Sequence, residues 1–246
     1  MVVSIARYEN IAVVTIDNPP VNAISLAVRQ KLLSVIKNTN SDDTIKAVVL
    51  ICAGRTFIAG ADVKEFDQSP IPPHLPDLLT RIEQASKPWI AAIHGSAFGG
   101  GLETAIACHH RIISPEVKLG LPEVTLGVIP GAGGTVRLPR LVPPETALEM
   151  IATGKSISAQ DAIKAGLADA LSSGDLLADA IALAREAPMP NALLSRPLKK
   201  TAYSEKLETA ADKILSKSTG QNAPRAAVNV LRNAYTLPPK EALKIE

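Results

Sequence analysis

Apolar and polar positions follow two different rhythms along the first two thirds of the chain. "VVSIARY" and "IAVVTID" (Val2–Tyr8 and Ile11–Asp17) are short β-type runs on either side of "EN", and together they predict a hairpin. The proline pair in "NPPVNA" ends that rhythm. From Ser25 the apolar residues Leu26, Val28, Leu32, Leu33, Val35 and Ile36 fall at helical spacing, and "NTNSDD" closes the segment as a polar turn. "KAVVLICAG" is a continuous apolar strand that runs into the loop "RTFIAGADVKEF". "WIAAIHG" repeats the theme, passing through a glycine loop into the helical pattern "LETAIACHH". "RIISPEVKLGLPEVTLGVIP" predicts another strand and a turn, and "GAGGTVRLPRLVPPETALEMIATG" a glycine turn with two helical pieces. "SAQDAIKAGLADAL" predicts a helix and a short strand, and from about Asp175 the pattern is helical almost throughout.

Uninterrupted apolar strands alternating with helices imply an α/β fold whose parallel sheet is covered on both faces. The strand-bearing core is expected over residues 1–173, and the more polar stretch 174–246, with no strand pattern, as a helical C-terminal region. A chain of 246 residues, 46% hydrophobic and 20% charged, has the length and composition of a globular protein with a sizeable core. A net charge of +2 without a Lys/Arg run leaves no footprint for a polyanion, and 3% aromatics leaves little to stack on bases. Nucleic acid is therefore not an expected partner. Cys52 and Cys108 sit in apolar runs, which fits buried free thiols and a reducing compartment. The N-terminus lacks the basic and long apolar parts of a signal peptide, and no run approaches the roughly 20 apolar residues of a membrane span. A soluble, intracellular protein is the expectation.

Two stretches carry candidate chemistry. "FIAGADVKEF" and "HGSAFGGGLE" each follow an apolar strand and put small residues where the chain must turn. Small residues let backbone N–H groups come close to a ligand, and a helix start leaves N–H groups unpaired. Two such groups converging from separate loops would form an oxyanion hole; tight strand–helix packing would use the same glycines. Neither stretch has the G-x-G-x-x-G spacing of a dinucleotide site, and the chain has no G-x-x-x-x-G-K-[ST] phosphate loop. Glu103 and Glu123 are charges set in apolar runs. Singly, Glu103 suits a helix start and Glu123 could cap the turn after Pro122. Together with the glycine loop they match what adding water across a double bond requires, one carboxylate to activate water and one to donate a proton. His94, His109 and His110 read as structural, with no metal-ligand spacing, so no metal is expected. Ser96 lacks a base partner and a G-x-S-x-G setting. Asp62 reads as fixing its loop.

The string "AGADVKEF…KPWIAAIHGSAFGGGLETAIACHHRI…LGLPEVTLGVIPGAGGTVRLPRLV" resembles the enoyl-CoA hydratase/isomerase family, the crotonase superfamily, and the likeness runs from "VVTIDNPPVNAIS" through "TGKSISAQDAIKAGLADAL". The resemblance implies the crotonase spiral of ββα turns with a helical C-terminal part. It implies that the backbone N–H groups of Ala61 and Gly100 hold a thioester oxygen. It makes Glu103 the first and Glu123 the second catalytic glutamate, with Glu123 the proton donor to the α-carbon. Lys64 would lie near the CoA phosphates, and backbone around Ala59, Gly60 and Asp62 would meet the adenine. "PGAGGT" would set a helix start, Gly131 to Gly134, against the pocket. With both glutamates present, the resemblance implies a cofactor-free hydratase that turns trans-2-enoyl-CoA into 3-hydroxyacyl-CoA. A Δ3,Δ2-enoyl-CoA isomerase is the alternative within the family, and a non-catalytic acyl-CoA-binding domain the alternative outside it. Two charges in an apolar pocket argue against the latter. Simple family members are trimers or hexamers and the multifunctional ones behave differently, so a homotrimer is one expected assembly. The segment from "LLSRPLKK" to "EALKIE" resembles the stretch joining hydratase to dehydrogenase in multifunctional fatty-acid oxidation proteins. On that resemblance the chain is expected to be the N-terminal hydratase part of a longer β-oxidation protein, where NAD would belong to a downstream domain. The implied setting is the bacterial cytoplasm, or the peroxisome for a longer eukaryotic chain.

Overall fold

Glu9 turns the chain with a positive φ of 56°, and β1 (Val3–Tyr8) and β2 (Ile11–Ile16) pair antiparallel with Tyr8 opposite Ile11. These coordinates are a computed structural model that describes residues 2–62, 65, 69–189, 191–198 and 204–246. The Ser25 hydroxyl accepts a hydrogen bond from the Val28 N–H and so caps α1 (Leu26–Ser41). Val28, Leu32, Val35 and Ile36 form its buried face, the stripe that the helical spacing marked. The chain then enters β3 (Ala47–Cys52), parallel to β2.

Next comes α2 (Leu75–Glu83), not expected from the sequence pattern because it begins in the proline-rich "PIPPHLP". Proline is tolerated in the first helical turn, where its missing N–H would be unpaired anyway. β4 (Trp89–Ile93) follows, then β5 (Ser96–Phe98), α3 (Gly100–Ala107), β6 (His110–Ile113) and β7 (Lys118–Gly120). The helix expected across "LETAIACHH" therefore starts two residues earlier and ends at Ala107, because His110 already pairs with Ile90 as the first residue of β6. The strand expected in "RIISPEVKLG" is two strands, which belong to different sheets.

After a 3-10 turn, Pro122–Leu126, come α4 (Gly134–Arg137), α5 (Pro144–Thr153), β8 (Ile157–Ser158), α6 (Ala159–Ala165) and β9 (Ala170–Leu171). The remaining elements are helices: α7 (Leu176–Glu186), α8 (Glu205–Lys217), α9 (Asn222–Thr236) and α10 (Pro239–Ile245). The six-stranded sheet has the order β1-β2-β3-β4-β6-β9 and is parallel except at β1. A second sheet, β5-β7-β8, stands where one continuous parallel sheet was expected. Ala180, Ile181 and Ala184 of α7 cover one face of the large sheet at Val13, Val49 and Ala92. The main core fills the other face.

The start of α3 is set by close packing. A Cβ on Gly101 would lie 2.1 Å from the Ile58 carbonyl oxygen, so only glycine lets α3 approach the loop after β3 this closely. Gly101→Ala is expected to destabilise the fold by about 3 kcal/mol, because a backbone oxygen rather than a flexible side chain must yield. A urea midpoint equal to that of the wild type would contradict this.

Candidate active site

The loop after β3 is tied down residue by residue. The Ala59 N–H donates to the Val21 carbonyl at 3.1 Å, the Ile24 N–H to the Gly60 carbonyl at 3.0 Å, and Ile24 and Ala61 form a parallel bridge. Opposite it, Gly99 takes a φ of 53° and starts α3 at Gly100. A Cβ at Gly100 would lie 3.5 Å from the Ala61 amide nitrogen, so the two backbone groups stand side by side. The first N–H groups of α3 have no acceptor within the helix and are available to a ligand. Gly60, Ala61, Gly99, Gly100, Glu103 and Glu123 all line one cavity of 330 Å³, with exposed Leu126 and Val128 at its rim.

Glu103 sits in the first turn of α3 and is only 3% exposed. Its Oε1 accepts hydrogen bonds from the Ala132 N–H at 2.8 Å and the Gly134 N–H at 2.9 Å. Burial pushes its carboxyl up to about 8; the charges of Glu246 and Glu123 act in the same direction, and the two amide donors oppose them. Glu123 comes from the 3-10 turn, and burial raises it to about 7. Its Oε2 is buried without a hydrogen-bond partner among the described residues. Its Oε1 lies 2.8 Å from where a Cβ on Gly99 would stand, so a side chain there would press on the carboxylate. Two carboxyls with values in the neutral range share one pocket, and such a pair holds one proton between its two titrations.

Ionised Glu103 is costly to fold. Its folded value of about 8 lies above the ordinary 4.5, so stability is full below 4.5 and falls as pH rises through 8. The urea midpoint of the wild type is expected to fall from about pH 5 to about pH 9, and that of Glu103→Gln to fall less. Parallel curves for the two proteins would refute the assignment of the cost to this residue.

A second cavity of 330 Å³ adjoins the first, sharing Ala61, Leu75 and Pro76 and adding Arg29 and Asp62. The Arg29 guanidinium donates to Glu65 at 2.7 Å and to the Ile24 carbonyl at 3.0 Å, which ties α1 to the loop after β3 and to the residue that bridges Ala61. Lys64 lies outside the described residues. The histidines stand elsewhere: His94 against the Gly54 carbonyl, His109 accepting from the Trp89 N–H, and His110 against the Pro188 carbonyl. No group of three His, Cys, Asp or Glu among the described residues could hold a metal. Cys52 and Cys108 are buried and unpaired with each other. No described helix is long and apolar enough to cross a membrane.

Three supports of this site are not marked by the hydrophobic pattern. Leu75 and Pro76 wall the cavity from α2, whose start the prolines hide in the sequence. Arg137, 1% exposed, pairs with Glu83 at 3.0 Å and donates to the Ala132 carbonyl at 3.0 Å, bracing the turn that holds Glu103. Glu246 accepts from Thr135 next to that turn. Two arginines in the otherwise apolar run "TVRLPRL", Arg137 and Arg140, were the only sequence signal for any of them.

The profile of the enoyl-CoA hydratase/isomerase family matches residues 6–224 of the chain. The sequence is similar to a peroxisomal bifunctional enzyme of Danio rerio, 41% identical over 251 residues that cover 98% of this chain and 35% of that protein. It is also similar to a probable enoyl-CoA hydratase of Bacillus subtilis (strain 168), 46% identical over 172 residues that cover 67% of each. Among solved structures, the enoyl-CoA hydratase from Bacillus anthracis superposes with a TM-score of 0.67 at 31% identity, over 100% of this chain and 88% of that one. The chain thus spans about a third of the length of the bifunctional relatives it matches.

Proposed function

The chain belongs to the enoyl-CoA hydratase/isomerase family, and from that premise we propose that it hydrates trans-2-enoyl-CoA thioesters to 3-hydroxyacyl-CoA. The observation that carries the reading is the meeting of Glu103 and Glu123, both raised into the neutral range, in the cavity that Ala61 and Gly100 line. The thioester oxygen accepts from the Ala61 and Gly100 N–H groups, which stabilise the negative charge that develops on it. As the water oxygen bonds to C3, Glu103 takes the water proton. The C2=C3 π pair shifts toward the carbonyl and then forms the C2–H bond with the proton of Glu123. The net change is addition of one water, and the proton gained by Glu103 returns to Glu123 through solvent once product leaves.

Ala59, Gly60 and Asp62, together with Lys64, are proposed to bind the CoA portion, and the adjoining cavity gives it a path. No cofactor takes part in these steps; NAD would serve only a downstream dehydrogenase domain. Isomerisation of 3-enoyl thioesters is a natural side reaction of the same carboxylates. The reading goes with a place in fatty-acid β-oxidation and with the hydratase part of a multifunctional protein. It also keeps the division into a core, 1–173, and a helical region, 174–246, a homotrimer as one assembly, and a bacterial cytoplasmic or a peroxisomal setting.

The test is the loss of conjugated enoyl-thioester absorbance from crotonyl-CoA. Turnover is expected, with kcat/KM falling above about pH 8 as the pair gives up its remaining proton. A folded protein that binds the thioester and never hydrates it would overturn the reading.

A further inference from the structure

The turn before α4 holds two carboxylates. Its Ala132 and Gly134 N–H groups donate to Glu103, as described above. One residue on, Thr135 donates to Glu246 Oε1 twice, from its N–H at 2.8 Å and from its hydroxyl at 2.7 Å. Thr135 is fully buried. Glu246 follows α10, and α10 also reaches the turn through Leu243: a Cβ on Gly133 would lie 3.2 Å from the Leu243 side chain. Glu246 is not among the residues that line the cavity.

We propose that Glu246 is a positioning residue of the carboxylate centre: by holding the Thr135 end of the turn whose other donors hold Glu103, it makes the seating of α10 a condition of an aligned acid–base pair. The inference rests on the reading of Glu103 and Glu123 as that pair. Charge supports the geometry. The Glu246 carboxylate raises the proton affinity of both Glu103 and Glu123, and burial raises its own. The charged groups acting on it are Arg137 from α4, Glu103 from α3 and Glu123 from the 3-10 turn. Arg232 of α9 is engaged by Glu208, Arg225 of α9 is exposed, and the other charged residues of α10, namely Lys240, Glu241 and Lys244, point to solvent.

The test compares Glu246→Gln and Glu246→Ala with the wild type in the 246-residue chain. Glutamine keeps an acceptor for Thr135 and removes the charge; alanine removes both. Removing a negative charge lowers the proton affinity of its carboxylate neighbours. The alkaline limb of kcat/KM against pH is therefore expected to move to lower pH in both variants. In Glu246→Ala, kcat should also fall about tenfold with KM little changed, because the turn loses its hold on Glu103. Carbon-13 NMR titration of the Glu103 and Glu123 carboxyls, assigned with the Glu103→Gln and Glu123→Gln proteins, reads the same displacement without turnover. Limbs and titrations that coincide with the wild type in both variants would overturn the inference. A wild type that fails to hydrate crotonyl-CoA would instead defeat the functional reading, and the carboxyl titrations alone then decide the role of Glu246.

Discussion

Glu103→Gln and Glu123→Gln are each expected to lower kcat/KM for the proposed crotonyl-CoA hydration by about 100-fold to 10,000-fold, the range for loss of a positioned acid or base. The lower figure corresponds to about 2.7 kcal/mol of transition-state stabilisation. Glutamine matches the size of the residue it replaces. At position 103 its carbonyl oxygen can still accept from the Ala132 and Gly134 N–H groups, so the turn keeps its place and only proton transfer is lost. At position 123 the buried Oε2 has no hydrogen-bond partner among the described residues, and an amide there disturbs few existing contacts. Thermal unfolding of each variant separates chemistry from folding. Retention of activity within about fivefold in either variant would remove that residue from the acid–base assignment. Isomerisation of a 3-enoyl thioester makes a useful contrast. It needs a proton moved between carbons and no water held between two carboxylates, so it should survive Glu103→Gln better than hydration does.

The largest effect on stability is expected from Arg137→Leu. Arg137 and Glu83 are 1% and 3% exposed and pair at 3.0 Å. Taking away the arginine leaves a buried carboxylate that keeps, among the described residues, the Leu194 N–H donor at 2.6 Å and the more distant charge of Arg140. Stranding a buried charge in this way costs about 3–5 kcal/mol. For a chain of this size that corresponds to roughly a 10 °C fall in Tm. The double variant Glu83→Leu/Arg137→Leu should recover part of the loss, because two apolar side chains remove the stranded charge but leave the Leu194 N–H without its acceptor. A single variant no less stable than the double one would show that the pair is not the source of the cost. The turn at Ala132 loses its brace in both proteins, so hydration should weaken in both as well.

Hydrophobic rhythm alone located the hairpin, α1, the apolar strands β3 and β4 and the helical stretch from α7 onward, because period is a local property of consecutive residues. The two glutamates and the glycine turns could be picked out for the same reason: a charge in an apolar run and a row of small residues are visible without coordinates. α2 escaped because its prolines mask a helix start, and the β6–β7 stretch was mistaken because one apolar run fed two sheets. Only the tertiary structure brings Glu103 and Glu123 into one cavity, sets the Ala61 and Gly100 amides side by side, and buries the carboxyls enough to raise them to about 8 and about 7. It alone brings Glu83 to Arg137 and carries Glu246 to Thr135 across 111 residues of chain. Desolvation and hydrogen-bond convergence depend on which distant segments pack together, and no spacing along the chain encodes them.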